Sequence, residues 1–431
     1  MIKCFELNSQ FYKNGIEFED FSEIKDHLKH GIEELHKFPV EAILLIINEF
    51  SKKIALNKEI LRAEGVPFLC FYLKKANMEK QVILNLGDKK YLDNFLEVEE
   101  GKFMKAQGRG IVCHWMAGNV PTLGIYSVIE SLLCKNANIL RVPEKSVTIV
   151  YELLRLLEDI TIEYQGQTYS SKVLLRNIVL IYFSSENHNL NSKMSLTADA
   201  RVIWGGKEAV DSISLLPKKT TCKDLMFGPK YSFAVFHKSA IESLDFERYL
   251  EKLVMDITTF DQKACSSPQV IFVEKTNLFI NEIGKSLSKA FEKVLKRYKN
   301  FSLEEAIAAK IINKRGEYLL SLDKMIYKSK GLEYTILINN EICLEEPVFG
   351  RTIFLKEVDN ILEVIPLVTN KVQTIGLASE DLEKTIEFAE KVTSKGVNRV
   401  TSFGAMNFYD SPWDGSLIIS ELVRWCSLNT K

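Results

Sequence analysis

The chain has 431 residues, enough for two large lobes or about three domains of ordinary size. Its 56 Lys+Arg balance 57 Asp+Glu for a net charge of −1, which excludes the basic excess of a nucleic-acid or polyanion binder. Hydrophobic residues at 46% and charged residues at 26% are values of a soluble globular protein that builds a core without disulfide staples.

Apolar residues at helical spacing predict helices over 21–35 and 40–54, in a mainly helical start that runs to about residue 105 with a few short strands. From Gly110 the texture changes. GIVCHWM at 110–116 predicts a strand, and Pro121 opens a helix that runs to about Cys134. ANILRV at 137–142 is the next strand and 147–159 the next helix. NIVLIYF at 177–183 is a buried strand. Another at 201–204 ends in Gly205 and Gly206, with a helix from Lys207. YSFAVF at 231–236 is expected to close the series. Apolar runs alternating with helices predict an α/β fold with a parallel sheet covered on both faces. Ligands of such sheets sit beyond the carboxyl ends of the strands, which points to the loops at 117–121, 141–146, 184–189 and 205–207.

A second α/β block follows. It has a helix at 246–258, a loop at 259–268, a strand at 269–273 and helices at 278–298 and 303–315. A strand at 374–378 and a helix at 381–394 come next, with Gly396 as C-cap. The tail carries a Gly- and aromatic-rich loop, SFGAMNFYDSPWDG, and then a short helix. No stretch is long and apolar enough to span a bilayer. The start, MIKCFELNSQF, has neither a basic n-region nor a long apolar segment, so no secretory signal is expected. None of the 8 cysteines forms a C-x-x-C pair, and unpaired thiols fit a reducing, cytoplasmic setting. His27 and His30 stand at helical spacing without an H-E-x-x-H and read as a solvated helix face, so no metal is expected.

Four segments have the residue types for chemistry. Asp261-Gln262-Lys263-Ala264-Cys265-Ser266-Ser267-Pro268 sets one thiol among small residues, which leaves room for a substrate, and Lys263 could lower the thiol's pKa. A small apolar residue filling a core gap is the competing reading of Cys265. In Met116-Ala117-Gly118-Asn119-Val120-Pro121, Asn119 offers an amide to an oxyanion, or simply caps the next helix. In Arg141-Val142-Pro143-Glu144-Lys145-Ser146 a cation and a carboxylate could grip a ribose and phosphate, or form a surface turn. Gly205 and Gly206 permit close backbone approach to a ligand, or make a tight turn. No G-x-G-x-x-G follows the first strand, so the usual dinucleotide fingerprint is missing.

Taken in order, these segments resemble the aldehyde dehydrogenase superfamily. They are most similar to its acyl-CoA reductase branch, the LuxC-type fatty acid reductases of bacterial bioluminescence, over about residues 105–420. GIVCHWMAGNVP resembles the strand and turn that present the oxyanion-binding Asn, here Asn119. ANILRVPEKS resembles the cofactor-ribose motif, with Arg141 where the superfamily usually has Lys, and with Glu144 and Lys145. RVIWGGKEAV resembles the unit at the cofactor phosphates, with Gly205 and Gly206. DQKACSSPQ resembles the nucleophile loop, with Cys265 as nucleophile, and FYDSPWDG resembles the branch's terminal loop. The superfamily binds its dinucleotide without the usual glycine fingerprint.

Two departures matter. Hydrolytic members carry a Glu before a Leu-Gly-Gly-Lys stretch; here Met226 holds that position in Met226-Phe227-Gly228-Pro229-Lys230, and a thioether cannot activate water. Asp224 is close enough in sequence to stand in as a base. Glu345-Glu346-Pro347-Val348-Phe349-Gly350 resembles the nicotinamide-ribose stretch with one extra residue, which makes the roles of Glu346 and Phe349 the loosest of the matches.

The resemblance implies two α/β lobes with an active-site cleft between them. Residues 1–235 would be a helical region and Rossmann-like cofactor-binding domain, 236–400 the catalytic domain, and 401–431 a tail returning to the cofactor or oligomerisation region. It implies NADPH-dependent reduction of a fatty acyl-CoA or acyl-protein thioester to a fatty aldehyde through an acyl-cysteine, with NADH as the alternative cofactor. It further implies an acyl-protein synthetase as partner, a homodimer or homotetramer, and a link to luminescence. The rival readings are a CoA-acylating aldehyde dehydrogenase working oxidatively, a cysteine acyltransferase without nicotinamide, and a non-catalytic partner subunit.

Overall fold

A computed structural model describes residues 1–118, 120, 122–297 and 303–430. In chain order it begins with β1 (Ile2–Leu7) and β2 (Gln10–Phe18). Four helices follow: α1 (Ser22–Leu35), α2 (Val40–Leu56), α3 (Val66–Tyr72) and α4 (Lys75–Leu86). Next come β3 (Leu96–Glu99), β4 (Lys102–Gly108), β5 (Ile111–Trp115), α5 (Thr122–Leu133), β6 (Ala137–Arg141) and α6 (Val147–Arg155). The hairpin β7 (Thr161–Tyr164) and β8 (Gln167–Ser170) leads through α7 (Lys172–Leu175) to β9 (Ile178–Tyr182). Then α8 (His188–Thr197), β10 (Ala200–Trp204), α9 (Lys207–Ser214) and β11 (Lys223–Phe227) complete the first block.

The second block runs β12 (Tyr231–Phe236), α10 (Lys238–Ile241), α11 (Phe246–Thr258), β13 (Val270–Glu274), α12 (Ile280–Leu295) and α13 (Glu305–Leu320). It continues with β14 (Met325–Lys328), β15 (Thr335–Ile338), β16 (Thr352–Val358), β17 (Val372–Ala378), α14 (Leu382–Thr393) and β18 (Arg399–Thr401). The chain ends in α15 (Ile418–Glu421) and β19 (Val423–Asn429).

These elements form two compact units. The first holds residues 1–228 and 409–431, the second 229–408. Among the described residues the first unit carries a seven-stranded sheet of order β11-β10-β5-β6-β9-β1-β2. Strands β11 to β9 are parallel, and β1 and β2 add antiparallel at the far edge. The buried strands are largely apolar, as a sheet packed on both faces requires, with His114 in β5 and Arg201 in β10 as buried polar exceptions. Helix α2 is apolar nearly all round and is buried at Ile43, Ile46, Ile47, Phe50 and Ile54, the pattern of a core helix. Each such side chain contributes about 1.5–3 kcal/mol of burial.

The second unit carries a seven-stranded sheet of order β14-β15-β16-β13-β12-β17-β18, parallel except for β14. Here the strand at 231–236 departs from expectation. It does not close the first series but lies at the centre of the second sheet, between β13 and β17. An apolar run with both faces buried suits either sheet, and nothing in its own residues records its pairing partners.

Candidate active site

In the first unit the strand order turns at β5. The chain moves outward through β6 to β9, then returns to set β10 on the other side of β5. The loop after β5 and the turn after β10 therefore leave the sheet side by side at its carboxyl edge, where ligands of such folds bind. Asn119 and Pro121, in the first of these loops, lie outside the described residues. A Cβ on Gly124 would fall 2.2 Å from Met116 Cε, and one on Gly118 would fall 2.8 Å from Lys145 Cε.

Beneath this edge a buried polar chain crosses three strands. Trp204 Nε1–H donates to Ser127 Oγ at 3.4 Å, Ser127 Oγ lies 3.0 Å from His114 Nδ1, and His114 Nε2 lies 3.0 Å from Asn138 Oδ1. Burial pushes His114 down to about 4, so the ring is neutral at physiological pH. Asn138 spends its N–H groups on Asn136 O and Asn177 O, which leaves its oxygen as the acceptor of an Nε2–H.

Arg141 ends β6. Its Nη2 donates to Phe183 O at 2.9 Å and its guanidinium lies 5.6 Å from the Phe183 ring centre, while its buried Nε has no partner among the described residues. Glu144 is exposed and accepts from Tyr182 OH at 3.3 Å; Lys145 is exposed beside it. Gly205 continues β10, and Gly206 is the N-cap of α9, where an added Cβ would meet nothing within 4 Å. Trp204 and Phe227 stack at 4.0 Å across the ends of β10 and β11.

Met226 is 48% exposed on β11. Asp224, the substitute base the sequence allows, is committed elsewhere. Its two oxygens each take a 2.7 Å hydrogen bond from the fully buried Arg201, and Lys218 adds a third contact at 2.6 Å. Burial raises this carboxyl, but Arg201 and Lys218 outweigh it and hold it below the usual carboxylate range. A carboxylate this acidic and this occupied does not serve as a general base near neutral pH.

In the second unit, the groups of interest gather at the opposite kind of edge. The loop holding Cys265 precedes β13, and the segment holding Glu346 and Phe349 precedes the neighbouring β16, so both lie at amino ends. Cys265 is half-buried, whereas Cys4, Cys70, Cys113, Cys134 and Cys222 are buried. Burial pushes the Cys4 thiol up to about 12, and Cys113 and Cys134 are raised well above the ordinary range, so those thiols are inert.

The Cys265 loop is held on every side. Ser232 Oγ–H donates to Cys265 O at 2.6 Å. Ser266 and Ser267 hydroxyls donate to Asn407 Oδ1 at 2.7 and 3.3 Å, and Asn407 Nδ2 donates to Asp256 O at 2.8 Å. Asp256 accepts from the backbone N–H groups of Gly404 and Met406, yet burial dominates and raises its carboxyl to about 7. Lys263, expected to act on the thiol, also gives a 2.8 Å ion pair to Glu304. Phe260, Asp261 and Gln262 have φ of 57°, 45° and 67°, left-handed values that cost non-glycine residues about 1–3 kcal/mol each.

Of the two adjacent glutamates, Glu345 is occupied. It lies 2.7 Å from Lys356 Nζ, and that fully buried ammonium also contacts Asn339 Oδ1, Glu341 O and Cys343 Sγ. Glu341, Cys343 and Glu345 have metal-ligand chemistry and spacing, but the ammonium already lies against two of their ligand atoms, Cys343 Sγ and Glu345 Oε1. Glu346 is exposed, and Phe349 is half-buried with φ 67°. Sequence reasoning missed Asp256, Arg351 and Asn407, whose partners are far away along the chain.

Residues 35–425 match the acyl-CoA reductase (LuxC) family. The chain belongs to that family. It is 25% identical over 368 residues to the long-chain acyl-protein thioester reductase of Aliivibrio fischeri, covering 84% of this chain and 72% of that one. It is 24% identical over 391 residues to long-chain acyl-protein thioester reductase 2 of Photobacterium leiognathi, covering 89% and 77%. The acyl-CoA reductase chain also superposes on aldehyde dehydrogenases. These include aldehyde dehydrogenase 21 of Physcomitrella patens, with a TM-score of 0.70 at 12% identity over 100% of this chain and 95% of that one. They also include a mutant aldehyde dehydrogenase C of Pseudomonas syringae solved with NAD+ and octanal, with a TM-score of 0.69 at 12% identity over 100% and 93%. At these identities the shared property is the aldehyde dehydrogenase fold, as the sequence motifs imply.

Proposed function

We propose that this acyl-CoA reductase family member reduces a fatty acyl thioester, carried on CoA or on a protein, to the fatty aldehyde through an acyl-cysteine at Cys265. The observation that carries the reading is the braced loop around Cys265: five other thiols are sealed in the core, and Cys343 and Cys426, half-buried like Cys265, stand outside that loop. The names of the Aliivibrio and Photobacterium relatives support the substrate class and the direction of reaction.

The Cys265 thiolate attacks the acyl carbonyl. The Cys265 backbone N–H is one donor to the oxyanion, and Asn119 is assigned as the other on the resemblance alone; one such donor is worth about 10²–10³ in rate. The donor thiol departs and leaves the acyl group on Cys265. A reduced nicotinamide dinucleotide, when bound, supplies the hydride that converts this acyl group to the aldehyde. The Cys265 thiolate is then the leaving group. Met226 gives water no base, and Asp224 is bound to Arg201, so the acyl-cysteine is not diverted to the acid.

The residues at the first unit's carboxyl edge fit a dinucleotide. The buried Nε of half-buried Arg141, which has no partner among the described residues, offers a donor, and the clear space at Gly206 admits a phosphate against the start of α9. Glu144 would take a ribose; the resemblance puts NADPH before NADH, and the exposed Lys145, with Lys207 paired to Asp211, is the cation nearest in sequence for a 2′-phosphate. Glu346 and Phe349 are assigned to the nicotinamide ribose on the resemblance alone. A cytoplasmic location, an acyl-protein synthetase as donor and a homo-oligomer belong to the same proposal. No helix among the described residues is long and apolar enough to cross a membrane.

Replacing Cys265 by Ala is expected to abolish both covalent labelling by a radioactive acyl thioester and aldehyde formation, while NADPH still binds by fluorescence. Label retained on the Cys265→Ala protein would refute the assignment. Rapid acid formation from aldehyde and oxidised cofactor without CoA would favour the oxidative reading instead.

A further inference from the structure

Two backbone kinks face each other in the second unit. Phe260, Asp261 and Gln262 form one; Phe349, Gly350 and Arg351, with φ of 67°, 61° and 60°, form the other. Non-glycine residues seldom take this conformation singly, and it persists only where the surroundings impose it. Here the imposing contacts run directly between the kinks, across 90 positions of sequence. Arg351 Nε and Nη2 reach Asp261 Oδ1 at 2.9 and 2.6 Å. The Gln262 side-chain amide pairs with the Thr352 backbone, donating to its O at 2.8 Å and accepting from its N–H at 2.9 Å. The same amide donates to Pro268 O at 2.9 Å, so the two ends of the loop that carries Cys265 are tied together. Arg351 is only 2% exposed.

A loop built this way has a defined direction for its thiol. An ordinary helix-to-strand turn would need none of these contacts. We propose that Asp261 and Arg351 are positioning residues for acyl transfer: their ion pair keeps the two kinks in register and so aims Cys265 Sγ at the acyl carbonyl, without touching the substrate. This rests on the reading of Cys265 as nucleophile. The pair suits the task. Asp is among the few side chains that tolerate a left-handed backbone, and its carboxylate takes two nitrogens of one planar guanidinium. Lysine cannot reproduce that fork. Errors of about 1 Å in the approach of a nucleophile cost on the order of 10² in rate.

The test uses the full chain as wild type, Asp261→Asn, Arg351→Lys and the double variant. Asn keeps the tolerance for the left-handed backbone and removes the charge. The measurements are the pre-steady-state rate of acylation from a labelled acyl-CoA, the rate of Cys265 alkylation by iodoacetamide read by mass spectrometry, and the KM for NADPH. All are taken well below the melting temperature of each variant. Each single variant is expected to acylate roughly 10- to 100-fold more slowly with the KM for NADPH within twofold. The double variant should be no worse than the slower single one, because the two side chains act as a unit.

Folded variants whose acylation and alkylation stay within twofold of wild type would overturn the proposal, as would a double variant whose loss is the product of the single losses. If Arg351→Lys does not fold, Asp261→Asn decides alone. Wild-type turnover that survives complete alkylation of Cys265 would instead remove the nucleophile assignment itself.

Discussion

The carboxyl edge of the first unit's sheet and the amino edge of the second unit's sheet are built on opposite plans. The first is left open: Arg141 Nε has no partner among the described residues, Glu144 and Lys145 are exposed, and the space at Gly206 is clear. The second is braced, with Asp261, Gln262, Ser266 and Ser267 all spent on holding the Cys265 loop. A ligand with its own charges and hydrogen-bonding atoms completes an edge of the first kind. An edge of the second kind gains nothing from added polar partners and serves to fix one atom. Each unit also holds a carboxylate tied into its frame, half-buried Asp224 near the start of β11 and buried Asp256 at the end of α11, and the two shift in opposite directions. Asp224 meets a guanidinium and is held low, whereas Asp256 meets chiefly backbone N–H groups and is raised to about 7.

That contrast breaks most visibly at Asp224. Asp224→Leu leaves the fully buried Arg201 guanidinium, among the described residues, with only Ser195 Oγ and backbone carbonyls, and is expected to cost about 3–5 kcal/mol in urea unfolding. Arg201→Met is expected to cost less, because Lys218 still faces the carboxylate. Equal losses would show that the pair is not set apart from its surroundings as described. The sign of the pH dependence follows from the lowered value. The contribution of Asp224 is present above the ordinary carboxylate range and is lost as pH falls through the lowered pKa.

Asp256 should do the reverse. Its folded-state value is raised from 3.8 to about 7, so its contribution is present below about pH 4 and is lost as pH rises through about 7. Asp256→Asn is expected to flatten this part of the stability profile, which amounts to on the order of 3 kcal/mol between pH 4 and 8. The baseline should fall by about 1 kcal/mol, since an amide cannot accept from both Gly404 and Met406. Chemical denaturation at four pH values reads both. An unchanged slope would place the proton elsewhere.

How much of each edge could be read from sequence follows from the reach of its contacts. The strands at Ile111–Trp115, Ala137–Arg141, Ile178–Tyr182 and Ala200–Trp204 announce themselves as apolar runs between helices, and the open edge follows from their order. The braced edge is different. Cys265 stands out through its small neighbours, but Asp261 and Arg351 meet across 90 positions, and neither residue carries a local mark of the other. The strands Thr335–Ile338 and Thr352–Val358 are not among the elements the sequence predicts: TILI is short, and TIFLKEV breaks its apolar run at Lys356 and Glu357. The misassigned strand Tyr231–Phe236 has the same cause: burial on two faces is written in its composition, while its pairing is decided by segments about 40 and 140 residues away. Glu345 and Glu346 look alike in sequence, and only the buried Lys356 separates the occupied carboxylate from the exposed one.

The smallest effect sharpens the contrast most. Gly206 has φ −67° and ψ 170°, values open to any residue, and an added Cβ meets nothing. Gly206→Ala should therefore leave the unfolding transition unmoved. If the clear space receives a cofactor phosphate, the same methyl group should weaken NADPH binding by about tenfold, roughly 1.4 kcal/mol, with the rate of Cys265 acylation unchanged. A glycine retained only for folding would give the opposite pair of results, a shifted transition with undiminished affinity. Titrating NADPH fluorescence against the variant, beside its melting curve, separates the two. An edge that is open for a ligand tolerates the methyl group until the ligand arrives; an edge that is open by accident never registers it.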